Sequence, residues 1–471
     1  LSNRRAIGRA AASLWALVGA LAAPAPVGAN GAFPTASQLK SDPGDPSHLV
    51  LGTTFGLLVT RDQGTSWDWL CEAGALYRDV EPPMVVLPGG RILLAVPDGV
   101  SRSDESGCHF ELATGLDGLV RDLTRVLAEP EAVVAVSTFG TVAQVWRSDD
   151  SGATFSALGA PVEELIVQTV EVAPSDPEVI YLSGLSGIEG ALFRSRDRGE
   201  TFERFVIPNT STAHVPYIAA VAPDDADVVY VRLTGTPSEL LVTRNGGRDF
   251  STVLHTIVPV AGFALSPDGA TLVVSNSFDG TFRASTEDLE FEKVACSGPS
   301  CLSFGESTLF GCGENAVDGY VVGRSSDLGA TFERAVDLSC IRGPVACGPE
   351  TSVGSACPGA WPAIQQQIGA TVCEPPEVEP YAGCFAGAAG DTGSGAVSGG
   401  GTGGAGRGGS ASGGKAGSGG RAGAAASATD GDESGCGCRV ASDGGGAVAL
   451  PLSGWLLWLL SRRRSRRTAR R

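Results

Sequence analysis

One eight-residue pattern returns seven times between residues 60 and 332, and it constrains this chain more than any other feature. It reads Ser/Thr-x-Asp-x-Gly-x-Thr-aromatic. It is complete at 148–155, 195–202 and 325–332. Residues 60–67 match with Ser66 in place of Thr. Residues 243–250 carry Asn245 for Asp and Asp249 for Thr. Residues 103–110 carry Glu105 for Asp and His109 for Thr, and 285–291 is one residue short and lacks the Gly. Successive copies start 40 to 48 residues apart. A fixed spacing of this size means like units that stack or close on one another, each too small to bury its apolar face alone.

The text around each box repeats too. Residues 166–173, 178–182, 191–195 and 201–207 form one unit of four β-rich runs, and 215–222, 228–233, 240–243 and 249–255 form the next. Runs of four to eight residues rich in Val, Ile, Leu and Tyr, bounded by Pro, Asp and Gly, read as strands. Four short strands every 40–48 residues is the arithmetic of a propeller blade. The expected fold is all-β: a seven-bladed β-propeller of four-stranded blades over 30–339, with a small Cys-rich cap at 340–384 and a disordered Gly-rich stalk after it.

Residue types in the box suit a tight turn. The carboxylates of Asp62, Asp150, Asp197 and Asp327, and the amide of Asn245, can accept backbone N–H bonds. Gly64, Gly152, Gly199, Gly247 and Gly329 can take the left-handed conformation that costs other residues about 1–2 kcal/mol. Trp67, Phe155, Phe202, Phe250 and Phe332 can bury their rings between sheets. The box resembles the Asp-box, or BNR repeat, of sialidase-like propellers. That resemblance implies that the box is the turn between a blade's third and fourth strands, and that its residues are structural. Asp-box propellers are similar as well to photosystem II assembly-factor propellers and to the ligand-binding propeller of sortilin-type receptors, which implies binding without naming a ligand.

Chemistry finds little support in the chain. A sialidase-like site would need an Arg triad, a Tyr with a Glu partner and an Arg-Ile-Pro signature. Arg91-Ile92-Leu93 is the nearest match and lacks the Pro. Tyr181 and Tyr230 hold the same place in successive units and so read as repeat packing. His48, His109, His214 and His255 are scattered, which offers neither a metal-ligand pair nor a triad. The box has too few carboxylates for a calcium loop. No catalytic, cofactor-binding or metal residue and no cofactor is therefore expected. The expected function is a binding or scaffold module. The alternative is a glycoside hydrolase, which needs two carboxylates facing one cleft.

The two ends read as addresses. Residues 1–29 place Arg4, Arg5 and Arg9 before an apolar run and a small-residue exit, as in a secretory signal peptide. At the other end stand Cys436-Gly437-Cys438, an apolar run at 447–460 and seven Arg from 462 to 471. Fourteen residues span about 21 Å as a helix, short of a ~30 Å hydrocarbon core. Together these parts, over 436–471, resemble the MYXO-CTERM sorting tag of myxobacteria. The resemblance implies processing near Cys436 or Cys438 by a sorting protease, contact with the membrane, and display on the surface of a Gram-negative cell. Residues 385–435 hold 20 Gly in 51 positions and read as a tether reaching on the order of 40 Å.

Without the end segments, 23 basic and 51 acidic side chains remain. A balance so acidic disfavours nucleic acid and favours cationic partners. The expected protein is a monomer that meets a glycan, peptide or matrix ligand outside the cell. Ten Cys between 71 and 384 suit an oxidising compartment. Two local pairings are expected, Cys71 with Cys108 and Cys296 with Cys301. The cap is expected to latch the ring where first and last blades meet.

Overall fold

The computed structural model describes residues 34–78, 81–305 and 308–374. Seven antiparallel sheets of four strands follow one another along the chain, each a meander of consecutive strands. They are blade 1 (36–70), blade 2 (84–112), blade 3 (119–162), blade 4 (166–206), blade 5 (216–256), blade 6 (262–295) and blade 7 (301–336). Blade 4 comprises Ile166–Val172, Ile180–Ser186, Glu189–Ser195 and Glu203–Val206, within a few residues of the sequence expectation.

Burial follows position in the blade. The second strands are sandwiched between neighbouring sheets, and Ile92–Val96 is buried at every residue. Such strands read as continuous apolar runs because both of their faces are covered. The fourth strands form the rim; in Glu203–Val206 no side chain is buried. The core therefore lies between blades. Val136 and Val145 of blade 3 pack with Val170 and Leu182 of blade 4, and Leu192 of blade 4 packs with Val229 and Leu241 of blade 5.

Among the described residues each blade takes its four strands from one continuous run of chain. Blade 7 meets blade 1 through apolar packing and through the Ser300 hydroxyl, which donates to the Ala36 carbonyl at 3.0 Å. The chain then leaves blade 7 and adds strand Ile341–Pro344 in parallel to Trp67–Leu70, as a fifth strand on blade 1. Helix Ser352–Ile368 follows, with Thr351 accepting from the Gly354 N–H at its start. Sequence reading missed this helix because Pro358 and Pro362 fall inside it. Both prolines are exposed and four residues apart, so the carbonyls that lose a donor face water. Trp361 of the helix sits 5.4 Å from Trp69 of blade 1.

Both expected pairings of cysteines are corrected. Cys71 joins Cys357 and Cys108 joins Cys347, so blades 1 and 2 are each tied to the cap and not to one another. Cys301 joins Cys312, its cross-strand partner in blade 7, which leaves Cys296 bonded elsewhere. Cys340 joins Cys373 within the cap. The returning cap segment brings the true partners within 5.2 and 5.5 Å between Cα atoms. The latch thus runs from blade 7 to blades 1 and 2. The signal segment 1–29, the stalk 385–435, Cys384 and the tag with Cys436 and Cys438 lie outside the described residues.

Candidate functional site

Each complete box is the turn between a blade's third and fourth strands. In blade 3 the Ser148 hydroxyl accepts from the Gly152 N–H at 2.9 Å and donates to Asp150 at 2.7 Å. Asp150 Oδ1 accepts from the Thr154 N–H at 2.9 Å, and Oδ2 accepts from the Thr154 hydroxyl at 2.7 Å. Asp62, Asp197 and Asp327 repeat the arrangement. Hydroxyl donors hold the carboxyls of Asp62 and Asp197 down at about 2; Ser66 leads for the first, and Ser195 and Thr201 for the second. These carboxylates are spent on their own turns.

The variant boxes keep the same bonds by other means. In blade 5 Asn245 donates to Asp249 at 2.9 Å where elsewhere a Thr donates to an Asp, so the two substitutions compensate with the bond reversed. In blade 2 Glu105 does not replace the box Asp. Asp104, one residue earlier, accepts from the Cys108 N–H at 3.0 Å. The residue before the Gly is also left-handed: Gln63, Ser151 and Leu328 have φ of 57° and Arg198 of 58°. Trp67 and Phe155 are fully buried, whereas Phe202, Phe250 and Phe332 are half-buried against the gap between blades. Tyr181 and Tyr230 are buried packing residues, and the Tyr181 hydroxyl donates to the Ala226 carbonyl.

The site with chemical potential lies at the centre of the ring. The first strands of all seven blades line a channel whose two mouths each have a volume of about 600 Å³. A β-bulge recurs in four of these strands, at Ser37, Arg121, Gln168 and Ala219. All four residues line one mouth. A bulge inserts one unpaired residue and re-aims its neighbours. It accounts for Arg121 and Asp122, adjacent in sequence, both lining the channel.

Polar groups at this mouth stitch blade to blade. Gln168 Oε1 accepts from Arg121 at 3.1 Å and from the Tyr217 hydroxyl at 2.9 Å. Arg232 donates to the Val260 and Ala261 carbonyls and lies 5.8 Å from the Tyr217 ring centre. Deeper in, Asp122 accepts from the Val170 N–H at 3.0 Å and Glu171 accepts from the Thr124 hydroxyl at 2.9 Å. Burial, and then the charge of Glu171, pushes the Asp122 carboxyl up to about 7. Burial also raises Glu171, opposed by Thr124, Lys40 and Arg125. Two carboxylates from adjacent blades thus share one channel. Sequence reasoning passed over them, although a charge in the middle of an innermost strand was a legible sign.

Fold and turns together define a class, the seven-bladed propeller built on boxed hairpins. Residues 143–290, about a third of the chain, match the model of the Sortilin-Vps10 family, described as sortilin, neurotensin receptor 3. No curated protein matches the chain. Solved structures similar to it include an ancestral GH74 enzyme, 14% identical with a TM-score of 0.46, covering 57% of this chain and 39% of that one. The GH74 xyloglucanase from Xanthomonas campestris is 13% identical with a TM-score of 0.37, covering 63% of this chain and 66% of that one. YCF48 from Cyanidioschyzon merolae is 12% identical with a TM-score of 0.43, covering 61% and 94%. This chain spans well under half of the ancestral enzyme's length and just under two thirds of the xyloglucanase's.

Proposed function

We propose that this protein is an exported, surface-tethered binding module that works without catalysis. One observation carries the reading: the carboxylates of the boxes and of the channel serve the ring. Box carboxylates close their own turns, and Asp122 and Glu171 are held by the Val170 N–H and the Thr124 hydroxyl. A rigid ring with polar groups so committed presents surface and channel to a ligand outside the cell, a glycan, peptide or matrix component. The stalk at 385–435 sets it off the cell, and the tag at 436–471 engages the sorting protease and the membrane of a Gram-negative, myxobacterial cell. Binding on a glycan array with no turnover of chromogenic glycosides or sialosides is the expected result. Turnover would refute it. Changing Cys436 and Cys438 to Ser is expected to retain the precursor or release the protein; unaltered display would refute the tag.

A second reading has its own support. Glycoside hydrolysis takes a carboxyl that keeps its proton and a second carboxylate on the other side of the bond. Asp122, with its proton held up to about 7, and Glu171 offer that pair in one channel. Under this reading any turnover disappears in Asp122→Asn and in Glu171→Gln.

A further inference from the structure

The two faces of the ring differ in what they expose. One carries the boxed turns. The other carries the hairpins between second and third strands and the connections that enter each first strand. Among the described residues twelve large apolar side chains stand exposed. Eight lie on the hairpin face and one, Leu127, on the boxed face.

Four of the eight form an arc on blades 3 and 4. Phe139 is 83% exposed and Ile188 74%, each at the tip of its blade's hairpin. Leu119 opens the first strand of blade 3 and pairs with Thr138, next to Phe139. Ile166 opens that of blade 4 and pairs with Leu185, beside the Ile188 hairpin. The Leu165 N–H donates to the Thr141 carbonyl at 2.7 Å, which joins the blade 3 hairpin to the entry of blade 4. These pairings set the four residues along the hairpin edge of two neighbouring blades. An exposed apolar tip costs solubility and is ordinary when single; an ordered series of them marks an interaction site.

Beside Ile188 the Glu189 carboxylate is paired with Arg204, and the unpaired charge in the other connections of the arc has one sign. Asp117, Glu163 and Glu164 are exposed in its connections, and none of them is in an ion pair among the described residues. The connections 113–118, 139–141 and 163–165 contain no Lys or Arg. The boxed face differs, because Arg147, Arg196 and Arg198 there pair with Glu129, Asp149, Asp227 and Glu178.

We propose that the Leu119–Phe139–Ile166–Ile188 arc, ringed by unpaired acids, docks a polypeptide segment that combines apolar and Lys or Arg side chains. The inference rests on the binding-module reading and gives it a face and a partner chemistry. Apolar side chains of the segment cover the arc, and its cations meet Asp117, Glu163 and Glu164 and set the approach. An anionic membrane is disfavoured on the same ground, since it offers an apolar layer behind the wrong charge.

The test uses the whole protein and three fluorescent 12-residue probes, Lys/Leu, Glu/Leu and Lys/Ser alternating peptides, with anionic lipid vesicles as the fourth arm. The Lys/Leu peptide alone is expected to bind. Phe139→Ser with Ile188→Ser is expected to weaken it at least tenfold, as is Glu163→Lys with Glu164→Lys, while Leu127→Ser on the boxed face leaves it unchanged. All changed side chains are exposed, and the charge pair stands as an independent variant if the apolar pair folds poorly. Equal binding of the Lys/Ser peptide, binding retained in either double variant, or vesicle binding lost in those variants overturns the proposal. A glycan-array signal that survives in Phe139→Ser/Ile188→Ser would leave the binding module standing and remove only this docking surface.

Discussion

Removing the bridge Cys71–Cys357 by changing both residues to Ala tests how the ring is closed. The bridge spans 286 residues and Cys108–Cys347 spans 239. In the chain-entropy model a lone link across so long a loop restricts the unfolded chain by about 5–6 kcal/mol. The two bridges act in parallel, however. With either one closed, the other completes a loop of only about fifty residues, worth about 4 kcal/mol. Each single removal should therefore cost about 4 kcal/mol, or roughly 5–8 °C in Tm for a fold of this size. Removing both should cost about 1–2 kcal/mol more than the two singles added together, because the last link carries the long-loop term. Denaturant melts of the four proteins under oxidising conditions measure this. A double variant that merely equals the sum, or falls below it, refutes the parallel latch.

Box glycines should differ in cost. At Gly64 a Cβ meets nothing closer than 3.7 Å, so Gly64→Ala should cost only the left-handed strain, about 1–2 kcal/mol. At Gly152 the same Cβ would stand 2.2 Å from Leu93, so Gly152→Ala adds an overpacking cost of about 1–3 kcal/mol; denaturant midpoints compare the two. Arg194 is buried, bonded to Glu203 at 2.8 Å and to the Gly246 carbonyl at 3.0 Å, and Arg194→Met should cost about 2–3 kcal/mol by thermal melts. An unchanged melting point would show these bonds to be worth nothing net. Stability should also fall as pH rises from about 4 to about 7. Folded Asp122 keeps its proton up to about 7 while the unfolded chain loses it near 3.8, so its contribution is complete below 3.8 and lost through about 7. Asp122→Asn should flatten that slope in melts from pH 4 to 9. Asp62 and Asp197 act oppositely: their contribution is present above 3.8 and lost as pH falls toward about 2.

The repeat was legible because a box is a local object. Its Ser, Asp, Gly and Thr satisfy one another within eight residues, so spacing alone announced seven hairpins and, with them, seven blades. Even the exchange of Asn245 and Asp249 could be read as a variant, since donor and acceptor sit four residues apart. Glu105 was misread for the opposite reason: which carboxylate closes a worn turn depends on its path, and Asp104 has the better one.

Everything that joins distant residues was decided by the tertiary structure. Cys71 finds Cys357 and Cys108 finds Cys347 only because the chain leaving blade 7 returns across blade 1. Asp122 and Glu171 face one channel only because a ring turns every first strand inward and bulges re-aim them. Phe139, Ile188, Ile166 and Leu119 come to one face of the ring only because meandering blades place alternate connections on alternate faces. Hydrogen bonds within a turn are short-range and can be read along the chain. Ring closure, disulfide partners and shared surfaces depend on where separate blades come to rest, and no local pattern encodes that.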